Sequence, residues 1–235
     1  LRLGLAGIPD AAEDIVIARD LSLTKITRGR LHIGQLSTKG GVALVRKAKS
    51  ESLNVTAEVT PHHFSLTDDC CETFDSNYKV LPPLREQEDV DALLEGLRDG
   101  TIDAIASGHA PHTVEEKTVE FDLAPFGVVG LETLFPASYT VLVERHGFPL
   151  LTVVDKLTRQ PARILGLDDE RGSLEVGKIA DVSVFDPCGE FAVSSNQFRS
   201  KSRNTCFEGT RFKGKTVHCF VSGVPVVRAG ELVER

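Results

Sequence analysis

Asn54-Val-Thr-Ala-Glu-Val-Thr-Pro61 decides how the chain is read. Its β-branched and apolar residues favour a strand, and Pro61 ends it because proline brings no N–H to a ladder. Two other stretches share this character. One is Arg30-Leu-His-Ile-Gly-Gln-Leu36, bounded by Gly29 and by Ser37-Thr38; the other is Ile102-Asp-Ala-Ile-Ala-Ser107, which runs into Gly108-His-Ala-Pro-His112. Helical spacing surrounds them. Residues 10–23 start with acidic residues and place Ile15, Val16, Ala18, Leu21 and Leu23 at helical intervals. Residues 41–51 follow two hydroxyls able to cap a helix. Beyond a loop through residues 70–78 and the Pro82-Pro83 stop, residues 86–99 set Val90, Leu93, Leu94 and Leu97 on one helical face.

Strands alternating with helices imply parallel βαβ units, and therefore an α/β domain. Further helices are predicted over 131–144 and 153–167. Short strands then follow at 181–185, 217–221 and 225–227, punctuated by Gly and Asp. The boundary is expected near residue 168, with an α/β domain over 1–168 and a small β region over 169–235. Three βα units are too few for a (β/α)8 barrel, so a barrel reading places the remaining units upstream of Leu1. The leading Leu and the absence of Met agree with sequence preceding residue 1. On periodicity alone, a small open α/β sheet is the alternative.

At 235 residues, with 41% hydrophobic and 26% charged, the composition is that of a globular protein rather than a disordered one. No apolar run approaches the roughly 20 residues of a membrane span, and the opening residues lack the basic start of a secretion signal, so the cytoplasm is the expected compartment. A net charge of −7 with dispersed Lys and Arg argues against nucleic acid or an anionic membrane as partner. Cys70, Cys71, Cys188, Cys206 and Cys219 form an odd set without zinc-finger spacing and are read as reduced thiols.

In parallel α/β architectures the reactive residues sit at the C-terminal strand ends. Those ends hold His32 and Gln35; Glu58 with His62 and His63; and Gly108 with His109 and His112. The four later histidines could form an imidazole cluster for zinc. Hydrogen-bonded structural histidines are the stronger reading, since no HxH or HExxH spacing occurs. Glu58 and Asp103 are the carboxylates nearest the strand ends, but both lie inside strands, where a structural role is expected.

The strings LHIGQLST, AEVTPHHFSLTDD, KVLPPLR, DAIASGHAPHTVEEK, APFGVVGLET, QPARILGL, GSLEVGKIADVSVFDP and SKSRNTCFEGTRFKGKTVHCFVSGVPVVRAGE, in this order, resemble the second half of the dihydroorotases. These are cyclic amidohydrolases that interconvert carbamoyl aspartate and dihydroorotate in pyrimidine biosynthesis; allantoinases and hydantoinases are the related alternative. The resemblance implies the C-terminal part of a (β/α)8 TIM-type barrel plus a small β-sandwich segment. It also implies one or two zinc ions at the barrel mouth, with an aspartate taking the proton of a zinc-bound water.

The chain departs from that pattern at three positions. The family reads HIxHLST where this sequence has Gln35 in place of a zinc-binding histidine. It reads ASDHAPH where Gly108 replaces an aspartate that is both ligand and base. It reads KVNPPLR where Leu81 replaces a substrate-contacting asparagine. The resemblance implies that His112 contacts the substrate carboxylate, that Ala124, Pro125, Phe126 and Gly127 form a substrate-facing loop, and that His62, His63, Lys79 and Arg85 are architectural. Glycine offers neither ligand nor base, and glutamine is a poor zinc ligand beside imidazole. The expectation is therefore a chain that binds no zinc and is not catalytic by itself. The resemblance implies that its preserved fold serves assembly with aspartate transcarbamoylase as partner, and open strand edges would favour self-association. The alternative is an active zinc enzyme completed by an upstream region.

Overall fold

The computed structural model describes residues 3–233, which form two compact units. The first comprises the described residues up to Glu132 together with Ser195–Cys206; the second comprises Thr133–Ser194 and the described residues from Phe207 onward.

In the first unit the chain runs through α1 (Asp10–Thr27), β1 (Leu31–Ile33), α2 (Lys39–Ser50), β2 (Val55–Val59), α3 (Gln87–Asp99), β3 (Ala104–Ile105) and the short α4 (Val114–Lys117). The strands form a parallel sheet in the order β1-β2-β3, with Leu31 opposite Val55 and Glu58 opposite Ala104. Each parallel pair is joined through a helix, which is the βαβ unit expected from the alternation. Val55, Ala57 and Val59 of β2 are buried among Val42, Val45, Leu93 and Leu97. Thr56 and Glu58 alternate to the opposite, half-buried face, as a period of two requires.

β1 is shorter than the sequence suggests, because Gln35 takes a left-handed φ of 51° and turns the chain out of extended geometry. The ladder resumes one residue later, where the Leu36 amide donates to Glu58 O at 2.9 Å. Of the two hydroxyls expected to cap α2, Thr38 does so, its Oγ1 accepting from the Gly41 amide at 3.0 Å, while the Ser37 hydroxyl is turned to Glu13. Glu13 of α1 accepts from the Ser37 and Thr38 amides at 2.8 and 3.2 Å and from the Ser37 hydroxyl. The buried stripe of α1 differs from its expected face. Ile17, Leu21 and Thr24 are covered, whereas Ile15, Val16 and Leu23 are exposed.

In the second unit, α5 (Leu134–Ser138) continues as π-helical turns over Tyr139–Arg145, followed by α6 (Leu150–Leu157) and α7 (Arg159–Leu165). The single helix expected over 153–167 is divided at Thr158, whose φ of −129° and ψ of −73° are not helical. An antiparallel sheet follows in the order β4 (Val182–Ala192), β5 (Arg211–Val221), β6 (Val224–Arg228) and β7 (Glu231–Leu232). Phe135 stacks on Phe185 at 3.6 Å and on Tyr139 at 5.9 Å between ring centroids, which ties α5 to this sheet. Among the described residues no helix is long and apolar enough to cross a membrane.

Candidate functional site

The strand ends of the first unit hold the residues singled out by sequence. After β2, the segment Thr60-Pro61-His62-His63 turns tightly, with the His63 amide donating to Thr60 O at 3.1 Å. His63 Nε2 lies 2.8 Å from the carbonyl of Pro82, which can only accept, so this nitrogen carries the hydrogen. Nδ1 is then left to accept from the Thr60 hydroxyl at 2.7 Å. Burial pulls His63 down to about 4 and holds His62 well below the ordinary histidine value, with His63 as the second cause. The two rings, 4.5 Å apart between centroids, are neutral and confined at neutral pH.

Gly108, beyond the end of β3, faces this pair. Its φ of 60° is left-handed, and a Cβ built on it would lie 2.6 Å from His62 Cε1 and 2.9 Å from Thr60 Cγ2. His62 and Thr60 are both buried, so the space that a side chain at 108 would need is already filled. Sequence reading assigned His62 to the frame; the structure places its ring directly against Gly108. The adjacency of EVTPHH and ASGHAPH on neighbouring strands was the available signal.

His112 and the 124–127 loop come together as one group. His112 Nε2 donates to Phe126 O at 2.9 Å, and Nδ1 faces Glu116 Oε2 at 3.5 Å. The Gly127 amide donates to Lys79 O at 2.9 Å, and the Lys79 ammonium sits 4.8 Å from the Phe126 ring centroid. Gly127 needs its φ of 128°, since a Cβ there would meet Ala110 Cβ at 2.5 Å. Two further side chains, Lys117 and Asn204, reach this loop and were not found from sequence. The Thr113–Glu116 capping box that fixes α4 was legible as Thr-x-x-Glu, whereas Asn204 is remote in the chain.

Leu81 lines a different cavity, whose lining does not include His112 or the loop. This residue is exposed, and the cavity, of about 510 Å3 beside β1, is mostly apolar and lined also by Ile8, Val16, Ile33, Pro82 and Pro83. Among the described residues neither Gln35 nor Leu81 is hydrogen-bonded to His112 or to the loop. Arg85, expected to be architectural, is buried. It donates to Ser37 Oγ at 3.1 Å and Ile8 O at 2.6 Å, and pairs with Asp10 at 2.9 Å and Glu13 at 3.6 Å. Asp103 is bound by Lys49 at 2.7 Å and by the Ala57 amide at 2.8 Å, a structural role. Glu58 lies 3.3 Å from His32 Nε2, and His32 Nδ1 lies 2.8 Å from Thr56 Oγ1.

Zinc would need three or four donors converging on one point. His63 spends both nitrogens on the frame, His109 Nδ1 accepts from the Gly130 amide at 3.2 Å, and His112 Nε2 is held by Phe126 O. Among the described residues no three His, Cys, Asp or Glu side chains gather as a metal site. The five cysteines are free, and burial pushes the Cys71 and Cys206 thiols up to about 11 and 12, away from the thiolate form that binds metal.

Comparison with known proteins places this geometry. The sequence profile of the Amidohydrolase family matches residues 31–226. The dihydroorotase of Ruminiclostridium cellulolyticum is 48% identical over 226 residues, covering 96% of this chain and 52% of that protein. The dihydroorotase of Pelotomaculum thermopropionicum is 49% identical over 96% of this chain and 52% of its own length. Among solved structures, the L-hydantoinase (dihydropyrimidinase) of Arthrobacter aurescens superposes with a TM-score of 0.92 at 33% identity, covering 96% of this chain and 51% of that one. The dihydropyrimidinase of Brevibacillus agri gives 0.91 at 25% identity, covering 96% and 50%. The chain spans about half the length of the curated relatives it matches.

Proposed function

The chain belongs to the amidohydrolase family, and from that premise we propose that it is a dihydroorotase-like member that does not hydrolyse a cyclic amide as it stands. One observation carries the reading. Beyond the end of β3 the residue is Gly108, and a Cβ there would stand only 2.6 Å from His62 Cε1 and 2.9 Å from Thr60 Cγ2. Hydrolysis in such sites needs a group that accepts the proton of the attacking water. Gln35 and Leu81 add to the loss, the first as a weak donor and the second as apolar bulk in place of a hydrogen-bonding group.

The remaining frame, His112 with the 124–127 loop, is read as a substrate-facing wall that has outlasted the chemistry. On this reading the chain acts in the cytoplasm, in pyrimidine biosynthesis, as a structural partner of aspartate transcarbamoylase or of a second copy of itself. The exposed Ile15 and Ile26 of α1 and the edge position of β1 support an assembly role. A second reading is an active zinc-dependent dihydroorotase, or a related cyclic amidohydrolase, completed by polypeptide outside this chain. It is favoured by the chain's matching only half of relatives that are 48% identical to it.

Elemental analysis and a dihydroorotate hydrolysis assay on the purified chain with added zinc separate the two. Substoichiometric zinc and no turnover above buffer are expected; near one zinc per chain with turnover overturns the proposal. For the assembly role, sedimentation with aspartate transcarbamoylase is expected to show a complex or a self-associated species. A monodisperse monomer in the mixture contradicts it.

A further inference from the structure

We infer that Lys117 and Asn204 form a buried clamp that positions the 124–127 loop and His112. The inference rests on the reading of that loop as a substrate-facing wall. Three successive carbonyls of the loop are turned onto side chains. Pro125 O and Gly127 O accept from Lys117 Nζ at 2.9 and 3.1 Å, and Phe126 O accepts from His112 Nε2 at 2.9 Å. Gly127 O also accepts from Asn204 Nδ2 at 3.1 Å, while Asn204 Oδ1 accepts from the His112 amide at 3.2 Å. Asn204 therefore joins the loop to the backbone of His112, and Lys117 fixes the carbonyls on either side of Phe126.

A buried lysine held by neutral carbonyls is expensive to keep, because the ammonium loses its water without gaining a carboxylate in return. Lys117 and Asn204 are only 7% and 5% exposed. An apolar side chain would fill the same space at lower cost, so what lysine adds is the donors. Burial draws Lys117 down to about 8, with the Lys79 ammonium acting in the same direction and Asp75 and Cys206 opposing it. Charged or neutral, the amine retains enough N–H groups for both carbonyls. Its backbone is fixed as well: the Thr113–Glu116 capping box sets α4, and the Ser76 hydroxyl donates to Lys117 O.

Lys117→Met keeps the stem and removes the donors; Lys117→Arg restores donors; Asn204→Ala tests the second arm if the first variant folds poorly. The readouts are hydrogen-exchange protection of the Ala124 and Gly127 amides, with α2 and α3 amides as the internal control, and the His112 imidazole resonances. Lys117→Met is expected to lower loop protection by about tenfold while α2 and α3 hold, on the scale of one lost hydrogen bond, with Asn204→Ala acting alike and also shifting His112. Lys117→Arg is expected to recover most of the protection. Loop protection within about twofold of the parent, equal loss across the whole unit, or no recovery with arginine overturns the clamp. Titration of the parent chain with dihydroorotate and carbamoyl aspartate, followed on His112, tests the underlying reading separately. No binding beside the expected loop response overturns the substrate-facing assignment and leaves the clamp supported.

Discussion

Placing a side chain at Gly108 should destabilise the fold, and the structure sets the scale. The residue sits at a φ of 60°, where an L-residue costs about 1 to 2 kcal/mol relative to glycine. Its Cβ would stand 2.6 Å from His62 Cε1 and 2.9 Å from Thr60 Cγ2, closer than carbon atoms pack. Both neighbours are buried, so either must shift within a packed interior to make room. Overpacking of this kind costs typically about 1 to 3 kcal/mol. Gly108→Ala should therefore lose about 2 to 5 kcal/mol, or roughly 4 to 20 °C in melting temperature for a chain of this size. Gly108→Asp should lose at least as much as Gly108→Ala. Urea denaturation and thermal melting followed by circular dichroism measure both. In a double-mutant cycle, His62→Ala should remove much of the penalty of Gly108→Asp, because the two substitutions compete for one volume. The reasoning is refuted if Gly108→Ala lies within about 0.5 kcal/mol of the parent, the range of an ordinary surface change.

Two further outcomes follow from the same unit. His63, held at about 4 in the folded state against an ordinary 6.5, binds its proton more readily when unfolded, so its contribution is complete above pH 6.5 and is lost as the pH falls toward 4. The loss from His63 alone approaches about 3 kcal/mol at the acid end, and His62 acts in the same direction; urea midpoints that are equal at pH 7 and pH 5 would contradict it. Arg85→Met should cost about 3 kcal/mol by leaving the largely buried Glu13 without its cation, and adding Glu13→Gln should return part of that loss in denaturant titrations.

How far the sequence carried the reading depends on what each segment's pattern encodes. β2 was legible nearly to the residue, because Val55, Ala57 and Val59 alternate with polar neighbours and Pro61 closes the run. α2 was legible from its capping hydroxyl, and α3 from the Pro82-Pro83 stop and its apolar spacing. β1 was overextended because nothing in the letters Gly34-Gln35 announces a left-handed glutamine. In α1 the apolar residues outnumber the buried ones, so period alone could not choose the face that meets α2. The break at Thr158 had a signal that the apolar spacing over 153–167 outweighed: Pro161 is tolerated only in a first turn, and it falls in the first turn of α7. The candidate site divides along the same line. Gly108 and Gln35 stood out as departures from a family pattern, whereas the packing of His62 against Gly108 was signalled only by EVTPHH and ASGHAPH falling at neighbouring strand ends. Lys117 and Asn204 meet only through the backbone of an intervening loop.

The contrast between what the fold retains and what the strand ends lack has a physical basis. Residues that hold the βαβ units together work through buried area and satisfied backbone groups, and each loss there is felt as lost stability. Val45, Ala57, Leu97 and the Glu13–Arg85–Ser37 network belong to this class, and all are intact. Groups used for chemistry at strand ends are held against packing preference, with unspent hydrogen-bonding capacity and room for a ligand. The His62 ring stands against Gly108, within 2.6 Å of where a Cβ would be. On the proposed reading, a carboxylate at this position would carry a steric cost that it would not meet in an open site. A scaffold held by such buried contacts can stay recognisable at 48% identity to dihydroorotases whichever residue stands at the end of β3, because that position contributes little to the core.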